Sequence, residues 1–311
     1  MKGKILVTDS LFILPEHEKQ LTDAGYEIER LDTPTATEEQ LIEHLPGKVG
    51  YILGGIEKVT DRAVDAADQL KAIIFTGADW RNFIPGHERA TERGIAIANT
   101  PGANAYAVAE YTATLILAMV WNIFELDRTG QTKFQTTNSL NQLTVGIIGM
   151  GTIGSRVACI LKALGAKEIL YYSREQKPQV EKETSARFVT MEELLEQSDI
   201  VTLHASKEAG TGFIGKNQLA KMKDGSVLVN CGFTGGVDAD SLYAELQTGR
   251  IRAAQDDPVD DRFKTLPLSV WFSSNSHTAY NTHEANRTAS DMAIKSLLAL
   301  LETGSDEYRV N

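Results

Sequence analysis

The stretch "TVGIIGMGTIGSRVA", residues 144–158, most constrains what this chain can fold into. An apolar run leads into a Gly-x-Gly-x-x-Gly loop, and a helix pattern follows. Gly149 permits a tight turn, Gly151 lets a pyrophosphate approach the backbone, and Gly154 lets the helix pack close to the strand. The pattern therefore favours a dinucleotide-binding loop over a purely structural glycine turn. The residues assigned to this loop are Gly149, Met150, Gly151, Thr152, Ile153 and Gly154.

The end of the next apolar run, "ILYYSREQK", bears on which cofactor the loop serves. NAD sites usually place an Asp or Glu about 20 residues after the glycines, where it bonds the ribose hydroxyls. This chain has Ser173 and Arg174 there, with Lys177 nearby. A hydroxyl and a guanidinium suit a 2′-phosphate, so we expect NADP, with NAD also allowed. The alternative is that Arg174 is a solvated surface charge, and the neighbouring Glu175 weakens the NADP assignment.

Short apolar runs alternate with amphipathic helix patterns through most of the 311 residues, which predicts an α/β fold of parallel sheets covered by helices. The length suits two domains. The net charge of -11 argues against a basic face for nucleic acid or for an anionic membrane. The two cysteines show no metal-ligand spacing and suit a reducing compartment, so we expect a cytoplasmic protein.

The segment "NTPGANAYAVAEYTATLILAMVW" reads as a turn followed by a long, mostly apolar helix. Its most apolar part, Tyr111–Trp121, is too short to span a bilayer. The turn at Thr100–Asn104 is the best candidate for a domain boundary. Two interpretations of the helix stay open, a plain core helix and a contact between two copies of the chain.

Four motifs, taken in order, resemble the D-isomer-specific 2-hydroxyacid dehydrogenases: "NTPGANAYAVAEYTATLIL", "TVGIIGMGTIG", "LVNCGFTGGVDADSLYAELQTGRIRAA" and "SHTAYNTHEA". The resemblance implies two Rossmann-like, doubly wound parallel-sheet domains with a cleft between them. Residues 1–101 and 283–311 would form a flavodoxin-like substrate domain, and residues 102–282 the NAD(P)-binding domain. It also implies a homodimer and hydride transfer between a nicotinamide and a small 2-oxo or 2-hydroxy acid.

In that family a histidine exchanges the substrate proton and a glutamate orients it. His277 in "NSHTAYNT" matches the histidine, although Ser276 replaces the usual proline. An ungapped count from Asn230 places Asp260 on the glutamate and Asp257 on a residue that contacts the nicotinamide amide. The alternative is that "DDPVDDR" is a solvated acidic loop. The resemblance also places three further residues on the cofactor side, namely His204, Cys231 and Gly232.

The family's third catalytic residue, an arginine that grips the substrate carboxylate, is missing. The pattern N-x-x-R-G-G becomes "NCGFTGG", and Phe233 falls on the arginine. A phenyl ring cannot form the bidentate pair that holds a carboxylate. Arg81 is the candidate replacement, with a surface arginine stacked on Trp80 as its alternative, and the backbone of Gly54 and Gly55 could also meet an anion.

Two functions therefore stay open. The first is an NAD(P)-dependent reductase or dehydrogenase with altered substrate anchoring. The second is a catalytically weak NADP(H)-binding sensor or interaction protein.

Overall fold

The computed structural model describes residues 1–8, 13–33, 35–129, 136–257, 259–276 and 278–311. For residues 127–129 and 208 it describes only the backbone. The strands are β1 (Gly3–Thr8), β2 (Tyr26–Leu31), β3 (Lys48–Leu53), β4 (Ala72–Phe75), β5 (Ala96–Asn99), β6 (Thr144–Ile148), β7 (Glu168–Tyr172), β8 (Arg187–Phe188), β9 (Ile200–Leu203), β10 (Val227–Asn230), β11 (Arg252–Gln255) and β12 (Trp271–Ser273). The helices are α1 (Pro15–Asp23), α2 (Glu38–His44), α3 (Asp61–Ala66), α4 (Trp80–Phe83), α5 (His87–Glu92), α6 (Ala105–Val120), α7 (Ile123–Thr129), α8 (Thr152–Ala163), α9 (Pro178–Thr184), α10 (Met191–Gln197), α11 (Lys216–Lys221), α12 (Ala239–Gln247) and α13 (His283–Thr303).

The chain divides into two compact units. The first unit comprises Met1–Asn104 and Thr282–Asn311, and the second unit comprises Ala105–Asn281. Each unit is built on one sheet whose described strands all pair in parallel. The predicted α/β fold with two doubly wound parallel sheets is confirmed.

The sheet of the first unit has the order β2-β1-β3-β4-β5, which is the flavodoxin-like order. Strand β3 is buried at every position, as expected where helices cover both faces of a parallel sheet. Helix α13 returns from the far end of the chain and packs on this sheet. A Cβ atom on Gly50 would lie 2.9 Å from Cδ1 of Leu297, so the absence of a side chain at Gly50 lets α13 approach β3 closely.

The sheet of the second unit has the order β12-β11-β10-β9-β6-β7-β8. Counted from β6, this is the Rossmann order 3-2-1-4-5-6 with one more strand at the far edge. The strand order reverses between β6 and β9, and in such sheets ligands bind outside the carboxyl ends of the strands at that point. Ligand contacts are therefore expected from the loops that follow β6, β7, β9 and β10.

The structure bears on the two interpretations of helix α6, a core helix and a contact between two copies of the chain. Its buried side chains, Leu115, Ile116 and Met119 among them, pack against Val145 and Ile147 of β6 in the core of the second unit. The core interpretation therefore describes most of the helix. Among the helices of the described ranges, none is long and apolar enough to cross a membrane.

Candidate functional site

The glycine loop after β6 has the steric properties that a phosphate cradle needs. Gly149 has φ +95°, a conformation that side-chain-bearing residues rarely adopt. A Cβ atom on Gly151 would meet nothing within 4 Å, so its backbone faces open space. A Cβ atom on Gly154 would lie only 2.0 Å from the carbonyl oxygen of Gly149, so α8 can approach the loop only with glycine there.

Gly151 is also the N-cap of α8, and as a glycine it has no side chain with which to cap this end of the helix. The N–H groups of the first turn are thus available to a ligand, and the helix dipole favours an anion there. Thr152 is exposed, Ile153 is half-buried and Met150 is buried. Loop and helix start therefore fit a dinucleotide pyrophosphate on steric and electrostatic grounds.

A cavity of about 750 Å³ opens at this edge of the sheet. It lies along the segments that follow β6, β7 and β9. Its lining includes seven of the predicted cofactor residues, namely Gly149, Met150, Gly151, Ser173, Arg174, Lys177 and His204. The structure thus brings together the glycine loop and the residues proposed for the 2′-phosphate, although they are 20 or more positions apart in the sequence.

The loop after β7 has a net positive character. Arg174 is exposed, and Lys177 lies 3.7 Å from the Glu175 carboxylate. The hydroxyl of Ser173 donates to the backbone carbonyl of Glu175, which closes the turn. Because Lys177 pairs with the one acidic side chain of this stretch, the guanidinium of Arg174 is not required to neutralise it.

His204 follows β9 and lines the same cavity. Its Nε2 lies 3.0 Å from the hydroxyl of Thr202, and burial lowers the pKa of the imidazole to about 4. The ring is therefore neutral at pH 7. Its backbone lies against the glycine loop, since a Cβ atom on Gly149 would come within 2.6 Å of the His204 carbonyl carbon.

The turn after β10 is held by its first residue, Asn230, which is buried. The Asn230 side chain accepts a hydrogen bond from Gly232 N–H at 3.0 Å and donates to the Phe233 carbonyl at 3.4 Å. The Phe233 ring folds back over Gly235, where an added Cβ would lie 2.6 Å from Cζ of the ring. The aromatic side chain is thus part of a turn whose glycine makes room for it.

Cys231 packs against the core of the second unit beside this turn. Burial is the main cause that raises the pKa of its thiol, to about 12, and Thr112 hydrogen-bonds the side chain. The thiol is therefore protonated at neutral pH and is not a nucleophile. Its predicted place beside the cofactor remains a prediction, as does that of Gly232.

The acidic stretch after β11 contains a residue that sequence reasoning missed. Asp256 is 5% exposed. Its carboxylate accepts hydrogen bonds from Thr278 N–H at 3.1 Å, from Ala279 N–H at 2.8 Å and from the Ser274 hydroxyl at 3.0 Å. Asp256 thereby fixes the backbone immediately after position 277. The only signal in the sequence was an acidic residue directly following an apolar strand, and the interpretation of this segment settled on its neighbours.

Two of those neighbours were predicted site residues. Asp257 follows Asp256, and its backbone carbonyl accepts a hydrogen bond from the Ser273 hydroxyl at 2.7 Å. Asp260 is exposed, accepts from Arg262 N–H at 3.0 Å and lies 3.2 Å from Arg262 Nε. The structure thus gives Asp260 a capping role with Arg262, which the sequence did not indicate. His277 lies outside the described residues, so its pairing with Asp260 stays a prediction.

Three of the four candidate substrate residues belong to the first unit, and the fourth, Phe233, belongs to the second. Gly54 is half-buried and Gly55 is buried, and both follow the carboxyl end of β3. Arg81 is exposed in α4, and its guanidinium carbon lies 4.4 Å from the centre of the Trp80 ring. This is the stacked arrangement named as the alternative for Arg81. The role of all three in substrate binding stays a prediction.

A buried polar cluster lies near this edge of the first sheet and was also missed. Glu57 is 1% exposed and accepts hydrogen bonds from the hydroxyls of Thr8 and Tyr51. Burial, followed by the charge of Glu57, raises the pKa of Tyr51 well above its usual value. The cluster ties the end of β1 to β3 and to the segment after Gly54 and Gly55.

Comparison with known proteins decides the family. The sequence model described as "D-isomer specific 2-hydroxyacid dehydrogenase, NAD binding domain" matches residues 113–279. A glyoxylate reductase of Thermococcus litoralis is 30% identical, over 96% of this chain and 94% of its own length. The chain belongs to the D-isomer specific 2-hydroxyacid dehydrogenases.

Other known proteins are similar to this chain in sequence or in fold. A D-3-phosphoglycerate dehydrogenase of Methanocaldococcus jannaschii is 30% identical, over 99% of this chain and 59% of its own length. Among solved structures, the TT0316 protein of Thermus thermophilus has a TM-score of 0.86 and 27% identity, and the match covers 99% of this chain and 100% of that one. The NAD-complexed D-isomer specific 2-hydroxyacid dehydrogenase of Lactobacillus delbrueckii ssp. bulgaricus shares the fold, with a TM-score of 0.81 at 22% identity over 99% of this chain and 100% of that one.

The resemblance drawn from the four motifs is therefore confirmed. The chain is a member of a dehydrogenase family that acts on the CH–OH group of 2-hydroxyacids with a nicotinamide cofactor. The replacement of the family's arginine by Phe233 in the turn after β10 stays a prediction from the motif count.

Proposed function

We propose that this 2-hydroxyacid dehydrogenase transfers hydride between a nicotinamide cofactor and a 2-oxo or 2-hydroxy acid, or a related carbonyl or alcohol, with an altered means of holding the substrate. The nicotinamide, when bound, supplies or accepts the hydride. The observation that carries the proposal is the glycine loop, in which Gly149, Gly151 and Gly154 each meet a separate steric requirement of a dinucleotide seat.

The remaining roles follow from chemistry. His277 would exchange the proton on the substrate oxygen, since imidazole can do so near neutral pH. Asp260 would be its carboxylate partner, in competition with Arg262, which lies 3.2 Å away. His204 is neutral and would face the cofactor without adding charge to the site. Asp257 would contact the nicotinamide amide.

The turn that carries Phe233 makes the anchoring unusual. A ring over Gly235 offers an apolar face where an arginine would offer two N–H donors. The substrate carboxylate must then be held by other groups, or the substrate must present an apolar group to the ring. Arg81 and the backbone of Gly54 and Gly55 are the proposed contacts from the first unit.

The test of the proposed function is an activity screen of the full chain. Oxidation of NADPH and NADH is followed with aliphatic 2-oxo acids, aromatic 2-oxo acids and carbonyl compounds that carry no charge. We expect turnover of at least one 2-oxo acid and a fall of about 100-fold or more in kcat for His277→Ala, because general acid catalysis contributes on this scale. Full turnover by His277→Ala would contradict the proposed mechanism.

The second candidate function is a catalytically weak NADP(H)-binding sensor or interaction protein. The observation that favours it is the Phe233 ring itself, because a binding protein has no need of the arginine. Tight cofactor binding, together with no turnover of any compound in the screen, would favour this candidate over the enzyme.

We also propose that NADP is preferred, and Arg174→Ala tests it. The variant should weaken NADPH binding about tenfold and leave NADH binding unchanged, because in this proposal the guanidinium would contact only the 2′-phosphate. Dissociation constants for both cofactors are measured by fluorescence titration. Arg187→Ala, which removes an exposed arginine that pairs with Glu168 in the same unit, is the matched control. Equal loss of NADH affinity in Arg174→Ala would remove the proposed role.

The assembly we propose is a homodimer. The exposed side chains of Tyr106, Trp121 and Ile123, at 61%, 51% and 51%, leave apolar surface at the start and just beyond the end of α6. Sedimentation velocity should then give twice the chain mass.

A cytoplasmic location is proposed from the two thiols, Cys159 and Cys231, which are not joined in a disulfide.

A further inference from the structure

Tyr171, the penultimate residue of β7, places a polar group in the core of the second unit. Its side chain is fully buried among apolar neighbours, and the centre of its ring lies 5.3 Å from that of Phe188. A buried hydroxyl costs free energy unless it is hydrogen-bonded. Burial is the main cause that raises the pKa of the Tyr171 phenol, so the hydroxyl keeps its proton at neutral pH and can donate it.

The hydroxyl of Tyr171 connects β7 to the end of the following loop and to α9. It accepts a hydrogen bond from Lys177 N–H at 2.7 Å and donates one to the Glu181 carboxylate, in α9, at 2.8 Å. The amide nitrogen of Gln176 lies 3.0 Å from each oxygen of the same carboxylate. Glu181 N–H also donates to the Lys177 carbonyl at 3.1 Å. This network therefore fixes the end of the loop.

The loop that is fixed in this way faces the cofactor cavity. Four of its residues, Ser173, Arg174, Glu175 and Lys177, line that cavity. The hydroxyl of Ser173 donates to the Glu175 carbonyl and so closes the start of the loop. Arg174 lies between this turn and the attachment of Lys177 to Tyr171. A guanidinium binds phosphate through donors in a fixed plane, so its contribution depends on where the backbone places it.

We propose that Tyr171 is a positioning residue for recognition of the cofactor 2′-phosphate, because its hydroxyl holds the loop after β7 in the conformation that presents Arg174. The inference rests on the proposed NADP preference and names the residue that sets its geometry. The Tyr171 side chain is fully buried, so it would act through the loop and not by contact with the cofactor. NADH has no 2′-phosphate, so its binding would not depend on this arrangement.

Tyr171→Phe tests the role, because it removes the hydroxyl and keeps the ring in the core. Dissociation constants of the full chain for NADPH and NADH are measured by fluorescence titration. The NADPH constant should rise about fivefold, the order expected from lost hydrogen bonds, and the NADH constant should stay unchanged. Tyr243→Phe is the matched control in the same unit. It removes a hydroxyl that lies 3.4 Å from that of Thr265, and it should change neither constant.

A double-mutant cycle shows whether Tyr171 acts through Arg174. Adding Tyr171→Phe to Arg174→Ala should cause no further loss of NADPH affinity, because the loop then has no guanidinium to present. Two residues that act independently would instead give losses that multiply. Melting temperatures of all variants are compared first, and the titrations are made well below the lowest of them. A role in stability alone would not change the ratio of the NADH and NADPH constants.

The outcomes separate this proposal from the proposed function. An unchanged NADPH constant in Tyr171→Phe, an equal loss of NADH affinity, or a further fivefold loss in the double variant would each overturn the role of Tyr171. If Arg174→Ala weakened NADPH binding and Tyr171→Phe did not, the NADP preference would stand without this role. Equal affinity of the wild type for both cofactors would overturn the preference and the role together. Because binding is measured without turnover, the role can be supported even if the proposed reaction fails.

Discussion

Gly154→Ala should destabilise the second unit by about 3 kcal/mol and abolish dinucleotide binding, since overpacking against a rigid neighbour costs on this scale or more. The added Cβ would lie 2.0 Å from the carbonyl oxygen of Gly149, and that neighbour is backbone, which cannot rotate away. Helix α8 must then shift from β6, which moves the N–H groups of its first turn. Urea unfolding and a titration with NADPH measure the two effects.

Gly151→Ala is the control, because it makes the same chemical change three residues earlier. Its Cβ would meet nothing within 4 Å, so the unfolding midpoint should be unchanged. Cofactor affinity should nevertheless fall about tenfold or more, because the methyl group occupies the place where a pyrophosphate approaches the backbone. Wild-type affinity in Gly151→Ala would contradict the proposed pyrophosphate site, and wild-type stability in Gly154→Ala would contradict the close approach of α8 to the glycine loop.

The glycine loop shows which parts of the site a sequence can predict. Its function depends on residues within one strand, one turn and one helix, so local pattern is sufficient to place them. The same holds for the alternating apolar runs, which predicted two parallel sheets. The second crossing of the chain between the units, by contrast, was inferred from the family resemblance, because nothing in "HEANRTASDMAIKSLLALLETG" states which sheet α13 will cover.

Asp256 shows why the remainder was missed. Two partners of Asp256 are backbone N–H groups 22 and 23 positions away. Because nearly every residue carries a backbone N–H, the sequence does not show which of them a carboxylate will bind. Asp260 was chosen by counting, and counting could not reveal its local contact with Arg262.

Asp256→Asn should be the most damaging conservative substitution in the acidic stretch after β11. Asparagine keeps the volume of the side chain, but its NH₂ group donates where the carboxylate accepts. If the NH₂ group takes the place of Oδ2, Ala279 N–H faces a donor. If it takes the place of Oδ1, Thr278 N–H and the Ser274 hydroxyl face one. We expect a loss of about 3 kcal/mol in the free energy of unfolding, as is typical when a buried charged acceptor is removed. Thermal unfolding at constant pH measures it.

Measurements of kcat and of cofactor affinity for Asp256→Asn should show whether Asp256 acts on the segment after position 277 or on the stability of the whole unit. Thr278 and Ala279 directly follow His277, so releasing their N–H groups should lower kcat about tenfold or more if His277 has the catalytic role proposed for it. Cofactor affinity should stay unchanged at temperatures well below the melting point, because the glycine loop is not involved. Asp261→Asn makes the same chemical change at a residue that is 88% exposed in its side chain, and it should alter neither kcat nor stability. A destabilised Asp256→Asn with unchanged kcat would make Asp256 a structural residue only. A joint fall in kcat and cofactor affinity would show that Asp256 acts on the whole unit and not on the segment after His277.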